Sequence, residues 1–574
     1  MGQTPLYPHD AFIYDGGAAP ASIQPDLPIV DLGYELHQAF SLDETTQTYN
    51  FSNIRYAAPP TGSLRFRPPV PPEQNRTVVQ NGAQGRVCPQ GALVWEEEIM
   101  PGFVEGVLNG SISTGSDASV PSSAVGDYPV VGPAGDARVT EDCLFLDVVV
   151  PRSVFERARK EDENDGNGES LASVLIWIDG GGYISGDKTE QDPSGLMQRS
   201  MVDSEEDGIV YVAINYRLGA FGWLSDGNGT ANAGLQDQRL ALEWVKKYIG
   251  LFGGNPDRIT LMGESAGAGS IVHQLAAYGG NSADSDGKDL PFRQAIIQSP
   301  MWYPLSVTQQ TSALDGYLKL LNASSIDDAR SLPSDQLIAA NAYQIATTPV
   351  YGTFTYGPVI DGSFVGDLPS KILLDPNFEW QDLRLMTGHT SNEGLTFTPP
   401  TGVSSSAYST ILHDFIPDIT PGTAEDIAQK FYPPSSNASA ADLGYDDALG
   451  RLALTISDAF FRCKNLYLST AFDTTYRYIF NVPPGLHSED LYFTFYDPVQ
   501  PDPRIVDVDV ALAIQDYIVS FVQAGQPSSS NAIATAWKPY RLQSGVLKFQ
   551  PSDISSVPDP VDIDRCHMWW KVTG

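Results

Sequence analysis

Ser265 stands at the centre of Gly263-Glu264-Ser265-Ala266-Gly267, a G-x-S-x-G pentapeptide. This pattern marks a nucleophile elbow, a sharp turn between a strand and a helix that lifts a serine hydroxyl above a sheet. The context fits. The strand-like "DRITLMG" precedes the turn, and a small-residue run, "AGAGSIVHQLAAYG", suited to open a helix, follows it. Gly263 and Gly267 are expected to be small because strand and helix pass close to the turn. A chain with 52 glycines produces G-x-S-x-G by chance in loops, so the flanking pattern carries the argument. The chemistry it points to is nucleophilic attack by Ser265.

A serine hydroxyl is a weak nucleophile until a base takes its proton. In chains with such an elbow the order is serine, then acid, then histidine. Of seven histidines, His413, His487 and His567 follow both Ser265 and an acid candidate. His413, in "ILHDFIP", is expected inside a helix, and His567, before "MWW", in a packed C-terminal segment. His487, in "PPGLHSEDLYF", follows the strand-like "YRYIFNV" in a Pro/Gly-bounded loop, where a base would be offered to the top of a sheet. For the acid that orients the imidazole and stabilises its cation, Glu393 in "LMTGHTSNEGLTF" also follows a strand-like stretch and a turn. Asp361 in "PVIDG" competes, but reads as a plain turn.

Charge developing on a carbonyl oxygen needs fixed N–H donors. Gly180, Gly181 and Gly182 follow the apolar "SVLIWID", and a glycine run lets the backbone approach a substrate and aim its amides. The amide of Ala266, directly after the nucleophile, is the third candidate. The run lacks the lysine of a P-loop and the G-x-G-x-x-G spacing of a dinucleotide site.

The elements that must hold these residues are legible as an α/β alternation. "SVLIWID" and "GIVYVAINYR" are continuous apolar runs that suit a parallel sheet covered on both faces. "GLQDQRLALEWVKKYIGLFG" has helical periodicity with Gly253 and Gly254 as its stop. Residues 28–80 read as short strands and proline-containing turns. Residues 89–140 form a long excursion with a short amphipathic helix in "ALVWEEEIMPGFVEGVL", and residues 159–170 a solvated loop. Beyond Pro300 the pattern becomes more helical and irregular. With no internal repeat and no freeing linker, residues 1–574 are expected to form one domain.

The chain has 34 Lys plus Arg against 70 Asp plus Glu, a formal net charge of −36. This balance argues against nucleic acid and anionic membranes as partners and suits a soluble surface and neutral or cationic small substrates. No apolar run approaches the roughly 20 residues of a membrane span. The segment "MGQTPLYPHDAF" has neither the basic start nor the apolar stretch of a secretory signal. Four cysteines fit two disulfides and an oxidising compartment. They show no C-x-x-C or Cys/His spacing, so no metal and no cofactor is expected. Six N-x-S/T sequons, at Asn50, Asn75, Asn109, Asn228, Asn322 and Asn437, are glycosylation candidates.

Taken in order, "IRYAAPPTGSLRFRPPVPP", "TEDCLFLDVVVP", "WIDGGGYISG", "VAINYRLGAFGWLS", "ANAGLQDQRLALEWVKKYIGLFGGNPDRITLMGESAGAGS", "AIIQSP", "GPVIDG" and "TSNEG" resemble the type-B carboxylesterases. That family contains cholinesterases, carboxylesterases and large fungal lipases. The resemblance runs from about residue 28 to the C-terminus. It implies an α/β-hydrolase fold, a large, mostly parallel mixed sheet flanked by helices, and a secreted carboxylesterase of the fungal kind. Ser265 would be the nucleophile, Glu393 the acid and His487 the base, with Gly181, Gly182 and Ala266 binding the oxyanion. It further implies disulfides Cys88–Cys143, closing a loop that often carries a lid, and Cys463–Cys566; spacing alone leaves three pairings open.

The departures from the family pattern bear on substrate. Asp179 stands where the family usually has His or Tyr before the glycine run, and its charge beside the site is expected to bear on substrate choice and on His487. The disulfide that many members carry after the nucleophile is missing. "SPMWYP" puts Trp302 and Tyr303 where small residues are usual, so these aromatics, with Phe354, either narrow the acyl pocket or pack as core. The reading that follows is an esterase for short acyl chains, acting on a small-molecule ester as a monomer or weak homo-oligomer. The rivals are a lipase with residues 89–140 as an apolar lid, and a catalytically silent cholinesterase-like binding protein.

Overall fold

The computed structural model describes residue 24 and residues 26–112, 136–162, 171–202, 208–227, 231–280, 290–435, 441–543 and 545–573. Among them runs an eleven-stranded sheet, ordered β14-β13-β12-β11-β10-β9-β7-β8-β6-β4-β3. Its strands are β3 (Ser41–Asp43), β4 (Thr48–Arg55), β6 (Phe145–Pro151), β7 (Ala172–Ile178), β8 (Val210–Ile214), β9 (Gly254–Glu264), β10 (Gln294–Gln298), β11 (Arg384–Thr390), β12 (Thr474–Phe480), β13 (Gly545–Gln550) and β14 (Asp553–Pro558). A small sheet of β1 (Ile29–Asp31), β2 (Glu35–Gln38) and β5 (Asn75–Gln80) stands apart.

Strands β7 through β13 are parallel, and antiparallel strands close both ends of the sheet. The apolar runs explain the centre. Every residue of β7 and β8 is buried, as a parallel sheet with helices on both faces requires. One face packs Val174, Ile176, Ile178, Val212 and Leu261 against the helices Ala233–Tyr248 and Ala266–Ala276. The other packs Leu175, Trp177, Met262 and Ile296 against the helix Val508–Ala524. The helix read from "GLQDQRLALEWVKKY" spans Ala233–Tyr248, and its 3₁₀ extension ends at Gly253, whose φ of 89° a side chain disfavours.

Two differences concern the chain beyond Pro300 and the 89–140 excursion. The later chain is less irregular than its pattern implies, because it supplies β11 to β14. The hairpin β13–β14, at the sheet's edge, carries a weak alternation that its sequence hides. In the excursion, "ALVWEEEIMPGFVEGVL" is helical as expected, a π-turn at Trp95–Ile99 followed by the helix Met100–Leu108. Residues 113–135 lie outside the described residues, so the lid-like excursion 89–140 is described over 89–112 and 136–140. There Cys88 is bonded to Cys143; the second bridge joins Cys463 to Cys566.

Candidate active site

The turn after β9 places Ser265. Its φ of 53° and ψ of −118° are sterically costly for a residue with a side chain. Its N–H donates to the Gln298 carbonyl at the end of β10 (3.0 Å), and its carbonyl accepts from the Gly269 N–H (2.8 Å). A Cβ on Gly267 would land on the Ile178 carbonyl oxygen, and one on Gly263 would sit 2.8 Å from that oxygen and from the Gly267 carbonyl carbon. The two glycines thus let β7, β9 and the helix Ala266–Ala276 converge under the serine.

Loops after β11 and β12 bring the other two groups. They are stitched together by Ser391 N–H to Phe480 O (2.8 Å) and Asn392 N–H to Gly485 O (2.7 Å). His487 Nε2 lies 2.9 Å from Ser265 Oγ, and its Nδ1 lies 2.6 Å from Glu393 Oε2. The other carboxylate oxygen of Glu393 accepts from Ser299 Oγ (2.6 Å) and the Thr390 N–H (2.7 Å). Glu393, 0% exposed, is therefore held by both oxygens, which fixes the imidazole it faces. Phe397 and Phe461 flank that ring, with centroids 5.0 and 4.9 Å away.

A further carboxylate belongs to this site. Glu264 Oε1 lies 3.3 Å from His487 Nε2 and accepts from Ser488 Oγ at 2.7 Å. Burial of Glu264 pushes its carboxyl up to about 8. Burial disfavours the His487 cation, but Glu264, Glu393 and Asp490 outweigh it and push His487 up to about 9. Sequence reasoning passed over Glu264 and Ser299. The signal for Glu264 was its place inside the elbow, beside the nucleophile; Ser299 had none, since only the fold brings it to Glu393.

The glycine run follows β7. Gly181 and Gly182 have φ of 79° and 58°, and Gly181 is exposed. Ala266 opens its helix, so its N–H has no intrahelical acceptor. Among the described residues no protein acceptor takes up the Gly181, Gly182 or Ala266 N–H, which leaves them available to a substrate oxygen. A Cβ on Gly182 would fall on the Phe354 ring. Phe354 neighbours Trp95 (6.1 Å) and Phe397 (6.5 Å), and Trp95 neighbours Tyr351 (4.9 Å). An aromatic wall thus runs from Gly182 to His487, and Trp95, Tyr351, Phe397 and Phe461 were not foreseen in it.

Two of the remaining pocket candidates, Trp302 and Asp179, are buried. Trp302 is 0% exposed, its ring 5.1 Å from Lys464 Nζ, so it presents no surface to a substrate and packs as core. Tyr303 is half-buried and edges onto Phe460 at 6.2 Å. Asp179 is 4% exposed and takes the Trp177 Nε1–H at 3.2 Å, so its carboxylate lies behind the glycine run; the charges acting most on His487 are those of Glu264, Glu393 and Asp490. Asp361 accepts from the Ser363 and Val365 N–H groups, a turn as expected. His413 is in the helix Tyr408–Phe415; His567 lies on the exposed face of the helix Ile563–Thr573. Among the sequons, Asn75, Asn109 and Asn322 are exposed and Asn50 half-buried, while Asn228 and Asn437 lie outside the described residues.

Residues 38–569 match the model of the carboxylesterase family. The chain is 38% identical over 561 residues to carboxylesterase patB of Penicillium expansum, covering 95% of this chain and 96% of that protein. It is 27% identical over 537 residues to secreted lipase 1 of Botryotinia fuckeliana (strain B05.10), covering 88% and 86%. Among solved structures, Aspergillus niger EstA superposes with a TM-score of 0.73 at 25% identity, covering 95% of this chain and 98% of that one.

Proposed function

The chain belongs to the carboxylesterase family, has the α/β-hydrolase fold and is a carboxylic ester hydrolase; from that premise we propose that it cleaves small-molecule esters through an acyl-enzyme on Ser265. His487 accepts the hydroxyl proton as Ser265 attacks the ester carbonyl. Glu393 orients the imidazole and stabilises its cation. The Gly181, Gly182 and Ala266 amides hold the oxyanion, each such donor being worth roughly 3 kcal/mol in the transition state. The imidazolium then protonates the leaving alcohol, and water removes the acyl group by the same route. One observation carries this reading: the unbroken line Ser265 Oγ, His487 Nε2, His487 Nδ1, Glu393 Oε2, with contacts of 2.9 and 2.6 Å. An organophosphate probe should label wild type at Ser265, found by peptide mass, and should leave Ser265→Ala unlabelled. Labelling of that variant would defeat the assignment.

Phe354 against Gly182 and Phe397 against His487 support short acyl chains, because they leave little room beside the reacting carbonyl. The lipase named among the relatives supports the rival, a long-chain ester. Rates on aryl esters from acetate to palmitate decide: acetate and butyrate should be fastest, and Phe354→Ala should shift the optimum to longer chains. Fastest turnover of palmitate would favour the lipase. The two disulfides and the exposed sequons support secretion; a mass shift on enzymatic deglycosylation of the protein secreted by a fungal host tests this.

A further inference from the structure

An oxyanion donor is half of a peptide group, and the other half must be held too. The peptide group is planar, so the N–H of one residue and the C=O of the residue before it point in opposite directions from one rigid unit. A carbonyl tied from behind therefore aims the amide in front. The Ala266 N–H shares its unit with the Ser265 carbonyl, which accepts from the Gly269 N–H at 2.8 Å. The Gly182 N–H shares its unit with the Gly181 carbonyl, which accepts from the Ile184 and Ser185 N–H groups, each at 3.0 Å, and from Ser185 Oγ at 3.2 Å. The Gly181 N–H shares its unit with the Gly180 carbonyl. No backbone N–H among the described residues is bonded to that oxygen. It takes instead the hydroxyl of Tyr216, at 3.3 Å, which also reaches the Asp179 carbonyl at 2.9 Å.

We propose that Tyr216 is a positioning residue of the ester-cleaving site: its hydroxyl, donated to the Asp179 and Gly180 carbonyls, aims the Gly181 amide at the oxyanion. The proposal rests on the oxyanion role given to that amide above, and Tyr216 touches no reacting atom. Two consecutive carbonyls held by one phenol leave the backbone from Asp179 to Gly181 little freedom to rotate. The donated proton also draws electron density toward the Gly180 oxygen, which makes the Gly181 N–H a stronger donor.

Tyr216 is itself well fixed. It is buried and lies just beyond the end of β8. The next residue, Arg217, is buried and paired through two nitrogens with Asp237, at 2.7 and 2.6 Å. Trp223 meets the Tyr216 ring edge-on, with centroids 6.4 Å apart, and lies 4.5 Å from the ring of Tyr183. Tyr183 follows the glycine run with a φ of 65°, and its carbonyl accepts from the Gly219 N–H at 2.9 Å. The run is thus clasped at both ends, by the Tyr216 hydroxyl before it and by Tyr183 after it. Burial, followed by the charge of Asp179, drives the Tyr216 phenol well above its ordinary range, so it keeps the proton it must donate.

Tyr216→Phe in the full chain keeps the ring and removes the donor. Its kcat should fall about 10- to 100-fold with KM little changed, because the oxyanion forms only in the transition state. An aryl trifluoromethyl ketone reads that oxyanion directly. Ser265 Oγ adds to its carbonyl carbon, the serine proton passes to His487, and the π pair comes to rest on the oxygen. The Kd of this ketone should rise about as much as kcat falls, and the acid limb of kcat/KM should stay at its wild-type pH, since His487 is untouched. Tyr56→Phe controls for packing: the buried Tyr56 hydroxyl donates at 2.7 Å to the Asn215 carbonyl, which belongs to none of the oxyanion peptides. That variant should lower Tm as Tyr216→Phe does, yet leave kcat and the ketone's Kd close to wild type. Unchanged kcat and Kd in Tyr216→Phe would overturn the proposal, and so would a rise in KM alone or an equal loss in Tyr56→Phe. Organophosphate labelling of wild type separates the two readings. An unlabelled Ser265 counts against the acyl-enzyme, whereas labelled wild type with an unimpaired Tyr216→Phe counts against Tyr216 alone.

Discussion

His487 answers to more than the two side chains of its hydrogen-bonded line. Glu264, 3.3 Å from Nε2, competes with Ser265 Oγ for the same nitrogen and stabilises the cation. The two groups titrate together, and a base must be neutral to accept the serine proton. The rate is therefore expected to rise with pH as the imidazolium, held up to about 9 by its acidic neighbours, loses its proton. Replacing Glu264 with Gln removes one of those neighbours and should move the acid limb of kcat/KM to lower pH; an unmoved limb would show that Glu264 has no hold on the imidazole. His487→Ala and Ser265→Ala should each lower kcat by roughly 10⁵- to 10⁶-fold, and near-normal turnover in either would refute their roles. At this scale Ser265, Glu393 and His487 were readable from motif, chain order and loop position. Ser299, Phe397 and Phe461 were not, because nothing in their own segments says what they will face.

Among the elements, the elbow is the least tolerant of change. A methyl group on Gly267 would meet the carbonyl oxygen of Ile178, a backbone atom of a central strand that cannot rotate aside. Gly267→Ala should therefore cost at least about 1–3 kcal/mol of stability as well as activity, seen as reduced soluble yield and a lower Tm; an unchanged Tm would show that β7 and the helix can separate. The C-terminal helix Ile563–Thr573 is tied to the helix Cys463–Ala471 by the Cys463–Cys566 bridge and by Lys464. The Lys464 ammonium is 0% exposed and donates to the Thr573 carbonyl at 2.5 Å. Burial lowers Lys464 from 10.5 to about 7. Between those values the folded chain binds fewer protons than the unfolded one, so the stability contributed at this site grows as pH rises through that window. The Tm of wild type relative to Lys464→Met should increase from pH 7 to 10, and a constant difference would contradict it.

For the molecule as a whole, the bridge between Cys463 and Cys566 spans 103 residues of sequence. In the chain-entropy view, a loop of that length is worth about 4–5 kcal/mol. The double variant Cys463→Ser, Cys566→Ser should melt well below wild type by calorimetry; an equal Tm would mean that the C-terminal helix is held by packing alone. The acidic excess, a net charge of −36, acts over the whole surface. If it steers cationic esters, their kcat/KM should fall with added salt while that of neutral esters stays level. A parallel response of the two would leave solubility as the role of the charge.

The α/β alternation, the elbow and the order of the candidate serine, acid and histidine were legible in local patterns of the chain. Buried strands read as apolar runs, tight turns demand glycine, and a family's ordered motifs survive as text. The tertiary structure decided what depends on meetings between distant segments. It sent Trp302 into the core beside Lys464, set Phe354 over Gly182, and buried Asp179 between the Trp177 indole and Gly186. A side chain's surroundings are fixed by which strands and loops converge on it, and no stretch of sequence around it carries that information.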